Sequence, residues 1–190
     1  MSGKYEKKAA GETVAEQLAE HIRGKVILTT GVSPGGLGAS FVQIIAKHEP
    51  KLLILAGRNT KKVKETQVAI EADVPGVKIR VLELDLNSQE QVRKAAAEVN
   101  AYEEVIDVLV NNSGIMAVPY GKTADGIEQQ FGVNHIGHFL FTNLIIDKIL
   151  ASTFGGRVIN ISSDGYRASP IRWDWTFQVS APTAANSVPC

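Results

Sequence analysis

Cysteine is almost absent: Cys190 is the single one in the 190-residue chain. No disulfide can form within the chain, which excludes a small secreted scaffold stapled by bridges. Charge of one sign is not in excess either. Lys+Arg and Asp+Glu balance at 20 each, so the electrostatic footprint of a nucleic-acid binder is missing. So is a polybasic membrane anchor. No stretch approaches the ~18 consecutive apolar residues of a membrane span. Met1 to Gly24 is charged and helix-like, without the apolar h-region of a signal peptide. The expectation is a cytoplasmic protein with no transmembrane segment and no nucleic-acid partner. What is present is core-forming material: 44% of residues are apolar and 21% charged, enough for one α/β domain.

The apolar residues come in two alternating patterns. Val26-Ile27-Leu28, Leu52 to Ala56, Val77 to Leu84, Val108-Leu109-Val110 and Val158 to Ile161 read as strands; several are continuous apolar runs, the mark of strands covered on both faces. Helical spacing lies between them. Leu37, Phe41, Ile44 and Ile45 form a stripe ending before Pro50; Thr60 to Ala72 carries Val63 and Ile70 on one side. Ser88 to Gln91 fits a capping box opening a helix through Val92, Ala95 and Val99. Thr123 to Leu150 predicts one long helical region, and Thr13 to Arg23 a short amphipathic helix with Val14, Leu18 and Ile22 on its stripe. Strands alternating with helices imply right-handed β-α-β units, hence a doubly wound parallel sheet in a three-layer α/β/α sandwich. The expected strand order is 3-2-1-4-5. The boundaries implied are a helical extension over 1–24, a dinucleotide-binding domain over 25–172, and an irregular tail over 173–190, where no charge follows Asp174.

The first strand leads into Thr30-Gly31-Val32-Ser33-Pro34-Gly35-Gly36-Leu37-Gly38 and then a helix. Glycines let backbone approach a pyrophosphate, and the helix N-terminus offers free N–H groups and partial positive charge. A glycine cluster alone is weak evidence, but strand before and helix after is the required context. The second strand ends in Ala56-Gly57-Arg58-Asn59. An acid there would hold the ribose hydroxyls of NAD. Arg58 instead offers a planar donor fork to a 2′-phosphate, which favours NADP(H) over NAD(H).

With those motifs, the chain resembles a short-chain dehydrogenase/reductase, most closely the retinol-dehydrogenase-like members, fungal ones included. The resemblance covers about residues 25–175. It rests on the glycine turn, Leu84-Asp85-Leu86, Asn111-Asn112-Ser113-Gly114, Val133 to Phe139, and Asn160-Ile161-Ser162-Ser163. It implies a Rossmann fold and an NADP(H)-dependent oxidoreductase acting on a small lipophilic alcohol, aldehyde or ketone. It also implies roles for residues. Gly31, Ser33, Gly36, Leu37 and Gly38 form the cofactor-binding turn, with Arg58 beyond it. Asp85 and Leu86 lie by the adenine, Asn111 by its ribose, and Gly114 completes the cofactor-binding set. Asn134 holds a proton-relay water, and Ser163 hydrogen-bonds the substrate oxygen; these two form the catalytic set. His135 and His138 read as packing or surface histidines, and no metal site is expected.

One part of the family pattern is missing. The tyrosine that serves as acid/base is followed four residues later by lysine. The tyrosines here, Tyr5, Tyr102, Tyr120 and Tyr166, are followed at that spacing by Ala9, Ile106, Ala124 and Pro170. The expectation is a C-terminally truncated form with little or no activity. One sheet face near the fourth and fifth strands would be partly bare and prone to self-association. The competing reading is a non-catalytic dinucleotide-binding or interaction module.

Overall fold

Burial on both faces is what the continuous apolar runs require, and β1 (Val26–Thr30) is buried at every residue. The computed structural model describes residues 9–167. Around β1 lie β2 (Leu52–Gly57), β3 (Ile79–Glu83), β4 (Val108–Asn111) and β5 (Arg157–Asn160). They form one five-stranded sheet in the order β3-β2-β1-β4-β5, with every pairing parallel. The sheet is the doubly wound one that the strand–helix alternation implies. The tail beyond residue 172, with Trp173, lies outside the described residues.

Side-chain alternation along the strands builds two cores. Val26, Leu28, Leu52 and Ile54 face α4 (Gln89–Asn100), α6 (His138–Leu144) and α7 (Ile146–Leu150), burying Val92, Ala95, Val99, Phe141, Ile145 and Ile149. Ile27, Leu53, Leu55 and Val110 face α2 (Leu37–Ala46) and α3 (Thr60–Asp73), burying Val42, Ile45, Val63 and Ile70. Helix starts follow local capping chemistry. Asn59 Oδ1 accepts from the amides of Lys61 and Lys62, and Ser88 Oγ from that of Gln91.

Four expectations need correction. In α2 the buried face is Gly38, Ala39, Val42, Ile45 and Ala46, while Leu37 is 80% exposed and Phe41 also points outward. Small residues win the sheet-facing side because they let the helix approach closely. The long helix over Thr123 to Leu150 begins only at α5 (Gln129–Phe131), widens into a π turn over Gly132–Gly137, and breaks again at Ile145 between α6 and α7. Thr123 is instead a turn residue: its Oγ1 accepts from the amides of Asp125 and Ile127. At the N-terminus, α1 spans only Gly11–Gln17, followed by a 3₁₀ turn over Ala19–His21. Strand β3 is shorter than its apolar run.

Strand β5 is exposed along its whole length, including Val158 and Ile159, with Ile161 just beyond it. Just before β4, the Asp107 carboxylate ties the start of β1 to the turn that precedes β5. That carboxylate is 3% exposed, accepts from Val26 N at 2.7 Å and from Ser152 Oγ at 2.6 Å. Asp107→Ala leaves the buried Val26 N–H unpaired at the start of the central strand. It should cost about 2–3 kcal/mol of stability. Urea denaturation checks this, and a loss below about 0.5 kcal/mol would show that water replaces the carboxylate there.

Candidate active site

The carboxyl ends of β1, β2 and β4 open onto one cleft of about 540 Å³. Gly31, Ser33, Gly36 and Leu37 line it from the β1–α2 turn, Arg58 from the end of β2, Asp85 and Leu86 from beyond β3, and Gly114 from beyond β4. Eight of the expected binding residues therefore come together. Gly38 does not line the cleft. A Cβ there would stand 2.5 Å from Gly31 O and 2.5 Å from Asn112 Nδ2, so its role is to let the helix close on the strand. Gly31 has φ +75°, and a Cβ on it would meet Ser113 Cα at 2.7 Å. Gly38→Ala should overpack this joint and cost about 1–3 kcal/mol, measured by thermal or urea unfolding; an unchanged midpoint would show that the turn can yield.

This cleft suits a pyrophosphate. Helix α2 begins at Gly36 with no side chain capping its first amides, so they remain available to an anion. Arg58 and Lys62 stand at one end of the cleft, and among the described residues neither side chain makes an ion pair. Asp85 is partly buried, and its Oδ1 accepts from Asn87 N at 2.9 Å. Lys62 was not singled out by the sequence. It became visible only when the first turn of α3 placed it beside Arg58.

A second cleft, of about 690 Å³, lies on the other side of the segment Asn112–Ile115. Asn111, Asn134 and Ser163 line it, so Asn111 stands with the two residues expected to be catalytic and apart from Arg58 and Asp85. Asn111 Nδ2 donates to Asn160 Oδ1 at 2.8 Å and to Thr142 Oγ1 at 3.0 Å, tying β4 to β5 and α6. The Asn134 amide bonds Ile115 at both ends: Oδ1 accepts from Ile115 N and Nδ2 donates to Ile115 O, each at 2.8 Å. Ser163 is exposed, with Oγ accepting from Gly165 N at 3.1 Å. Ile115, Met116, Phe139, Val158 and Ile161 make much of this wall apolar.

A family model described as short chain dehydrogenase matches residues 25–173. The chain belongs to that family. Oxidoreductase fscI of Fusarium equiseti is 37% identical to it over 166 residues, covering 85% of this chain and 64% of that protein. Retinol dehydrogenase 13 of Homo sapiens is 39% identical over 153 residues, covering 80% and 45%. This short-chain dehydrogenase thus spans less than two thirds of either relative. Among solved structures, a metagenomic short-chain oxidoreductase in complex with NADP superposes with a TM-score of 0.61 at 27% identity, over 75% of this chain and 63% of that one.

Two tyrosines of this short-chain dehydrogenase, Tyr102 and Tyr120, stand outside both clefts. Tyr102 donates to Glu98 Oε1 at 2.6 Å and stacks under Arg80, lining neither cleft. Burial first, then the Glu98 carboxylate, pushes its phenol far above the usual value, the wrong direction for an acid/base. Tyr120 is half exposed and also lines neither cleft. Tyr5 lies outside the described residues. Among those described, no group of three His, Cys, Asp or Glu side chains could hold a metal, and no helix is long and apolar enough to cross a membrane.

Proposed function

We propose that this short-chain dehydrogenase binds NADP(H) in the first cleft and presents a lipophilic alcohol, aldehyde or ketone in the second. The observation that carries this is the pair of unpaired cations, Arg58 and Lys62, at the end of a cleft whose other wall is the glycine turn. Two cations match the extra dianionic phosphate of NADP; NAD offers them nothing. Gly31, Ser33, Gly36 and Leu37 cradle the pyrophosphate, while Asp85 and Leu86 flank the adenine. Residues 25–172 form the binding domain.

The bound dinucleotide supplies or accepts a hydride. Ser163 Oγ then orients the substrate oxygen at the rim of the second cleft. Asn134 keeps the Ile115 backbone in place between the clefts, and it is the residue that would hold a relay water. The apolar side chains Ile115, Met116, Phe139 and Ile161 exclude water from the substrate side and favour lipophilic substrates. Calorimetric titration with NADP⁺ and NAD⁺ tests the cofactor assignment: NADP⁺ should bind about tenfold more tightly or better. Equal affinities would overturn it.

A second reading is a dinucleotide-binding module without turnover. It is favoured by Tyr102 being tied to Glu98 and Arg80 away from both clefts.

A further inference from the structure

One buried hydroxyl binds two successive backbone amides of the wall between the two clefts, beside the bonds that Asn112 Nδ2 makes to Thr30 O and Gly31 O. Thr30 is 0% exposed, and its Oγ1 accepts from Asn112 N at 3.0 Å and from Ser113 N at 2.9 Å. Those two bonds use both lone pairs of a hydroxyl, which has a single proton left to donate. The remaining neighbour is His138 Nε2, at 3.0 Å. Hydrogen-bond valence therefore assigns the tautomer: Nε2 is bare and accepts the Thr30 proton, and the ring proton is on Nδ1. Nδ1–H then donates to Asn134 O at 3.2 Å. The π turn over Gly132–Gly137 delivers His138 to this place, and insertions of that kind are frequent at functional sites.

We propose that His138 is a positioning residue: by accepting the Thr30 proton it locks the Asn112–Ser113 segment between the two clefts, and taking a proton at Nε2 releases that lock and weakens dinucleotide binding. The binding half of this inference rests on the first cleft taking a dinucleotide; the locking half does not.

An imidazolium would point an N–H at a hydroxyl whose lone pairs are already filled, so one of the bonds to Asn112 or Ser113 must break. The ring is 5% exposed. Burial holds its pKa below the usual imidazole value, against the raising effect of the Asn134 carbonyl, with the charge on His135 lowering it further. The groups facing it from β1 and the β4 loop, Thr30, Asn112 and Ser113, are uncharged. Among the described residues lining the second cleft, His135 is the other titratable side chain. Below about pH 6.5 the unfolded chain binds a proton here that the folded chain resists. Stability is therefore fully present above that pH and is lost as pH falls toward the folded value.

The test is NMR on the ¹⁵N-labelled chain, titrated from about pH 8 to about pH 5, followed by NADP⁺ titration at both ends. At high pH the His138 ring should show the Nδ1–H pattern. As it protonates, the Asn112 and Ser113 amide signals should move with the same midpoint. His138→Gln, whose side-chain oxygen can accept the Thr30 proton, should keep those signals in place at all pH values; His138→Leu should displace them as acid does. On acidification the wild-type chain should lose about tenfold more NADP⁺ affinity than His138→Gln, which shares any titration of the 2′-phosphate itself. An Nε2–H tautomer, amides indifferent to the charge on His138, or equal pH dependence in wild type and His138→Gln would each overturn the proposal. Failure of NADP⁺ to bind at any pH would overturn the dinucleotide assignment instead, and the amide signals would still decide whether His138 locks the wall.

Discussion

The 190-residue chain should reduce lipophilic aldehydes with NADPH at least about 10²-fold more slowly than a chimera in which the corresponding C-terminal half of human retinol dehydrogenase 13 follows β5. Carbonyl reduction needs a proton delivered as the hydride arrives, and a positioned acid is worth about 10²–10⁴-fold. The side chains lining the second cleft offer Ser163, Asn134 and two histidines. A serine hydroxyl has too high a pKa to donate near neutrality. Asn134 has both ends of its amide bonded to Ile115, and the His138 Nδ1–H is committed to Asn134 O. His135 is exposed and lies against Phe131 and Phe139. Initial rates of NADPH oxidation over a panel of aldehydes and ketones are the measurement. Comparable turnover in the two chains, abolished in the shorter one by Ser163→Ala, would show that the site needs no phenol.

Cofactor choice should respond almost as strongly to two surface cations. Arg58→Ala should weaken NADP⁺ binding by about tenfold, and the double variant with Lys62→Ala by about a hundredfold, with NAD⁺ affinity changed by less than about twofold in both. Arg58 is exposed in the free chain, so part of the effect is screened, and the loss should shrink as salt is raised past a Debye length of about 8 Å at physiological ionic strength. Lys62 lies in the first turn of α3, where the Asn59 side chain fixes the helix start by accepting from the Lys61 and Lys62 amides. Asn59→Ala should therefore reduce NADP⁺ affinity by a smaller factor without removing any charge. An unchanged NADP⁺ to NAD⁺ ratio in the double variant is the result that sinks the assignment.

Most of the architecture could be read from the chain because the decisive information is local. A short continuous apolar run such as Leu52 to Ala56, too brief for a helix, reads as a strand buried on both faces, and five strand-like runs separated by helices leave few topologies. Eight of the residues expected on the cofactor side meet in one cleft for the same reason: each lies in the loop after the carboxyl end of a strand or at the start of the helix that follows, and parallel strands bring those ends together. The misplacements share a cause as well. Apolar spacing in α2 suggested Leu37 and Phe41 as its core face, but helix–sheet distance is set by Gly38, whose missing Cβ permits the approach to Gly31. The run from Thr123 to Leu150 has helical composition throughout, yet Thr123 bonds its own turn and the π insertion at Gly132 shifts the register.

The doubly wound sheet, its strand order, the family and the residues at the mouth of the first cleft are all legible in the chain, since they follow from periodicity and short contiguous motifs. Which cleft each residue lines depends on packing between distant segments. Asn111 went to the second cleft because its amide closes on Thr142 and Asn160, 31 and 49 residues away. Lys62 joined Arg58 because α3 starts where Asn59 caps it. His138, which reads in the chain as a packing histidine, turned out to hold Thr30 from 108 residues away. Hydrogen-bond valence at a buried atom depends on every neighbour at once, and no local pattern in the chain encodes it.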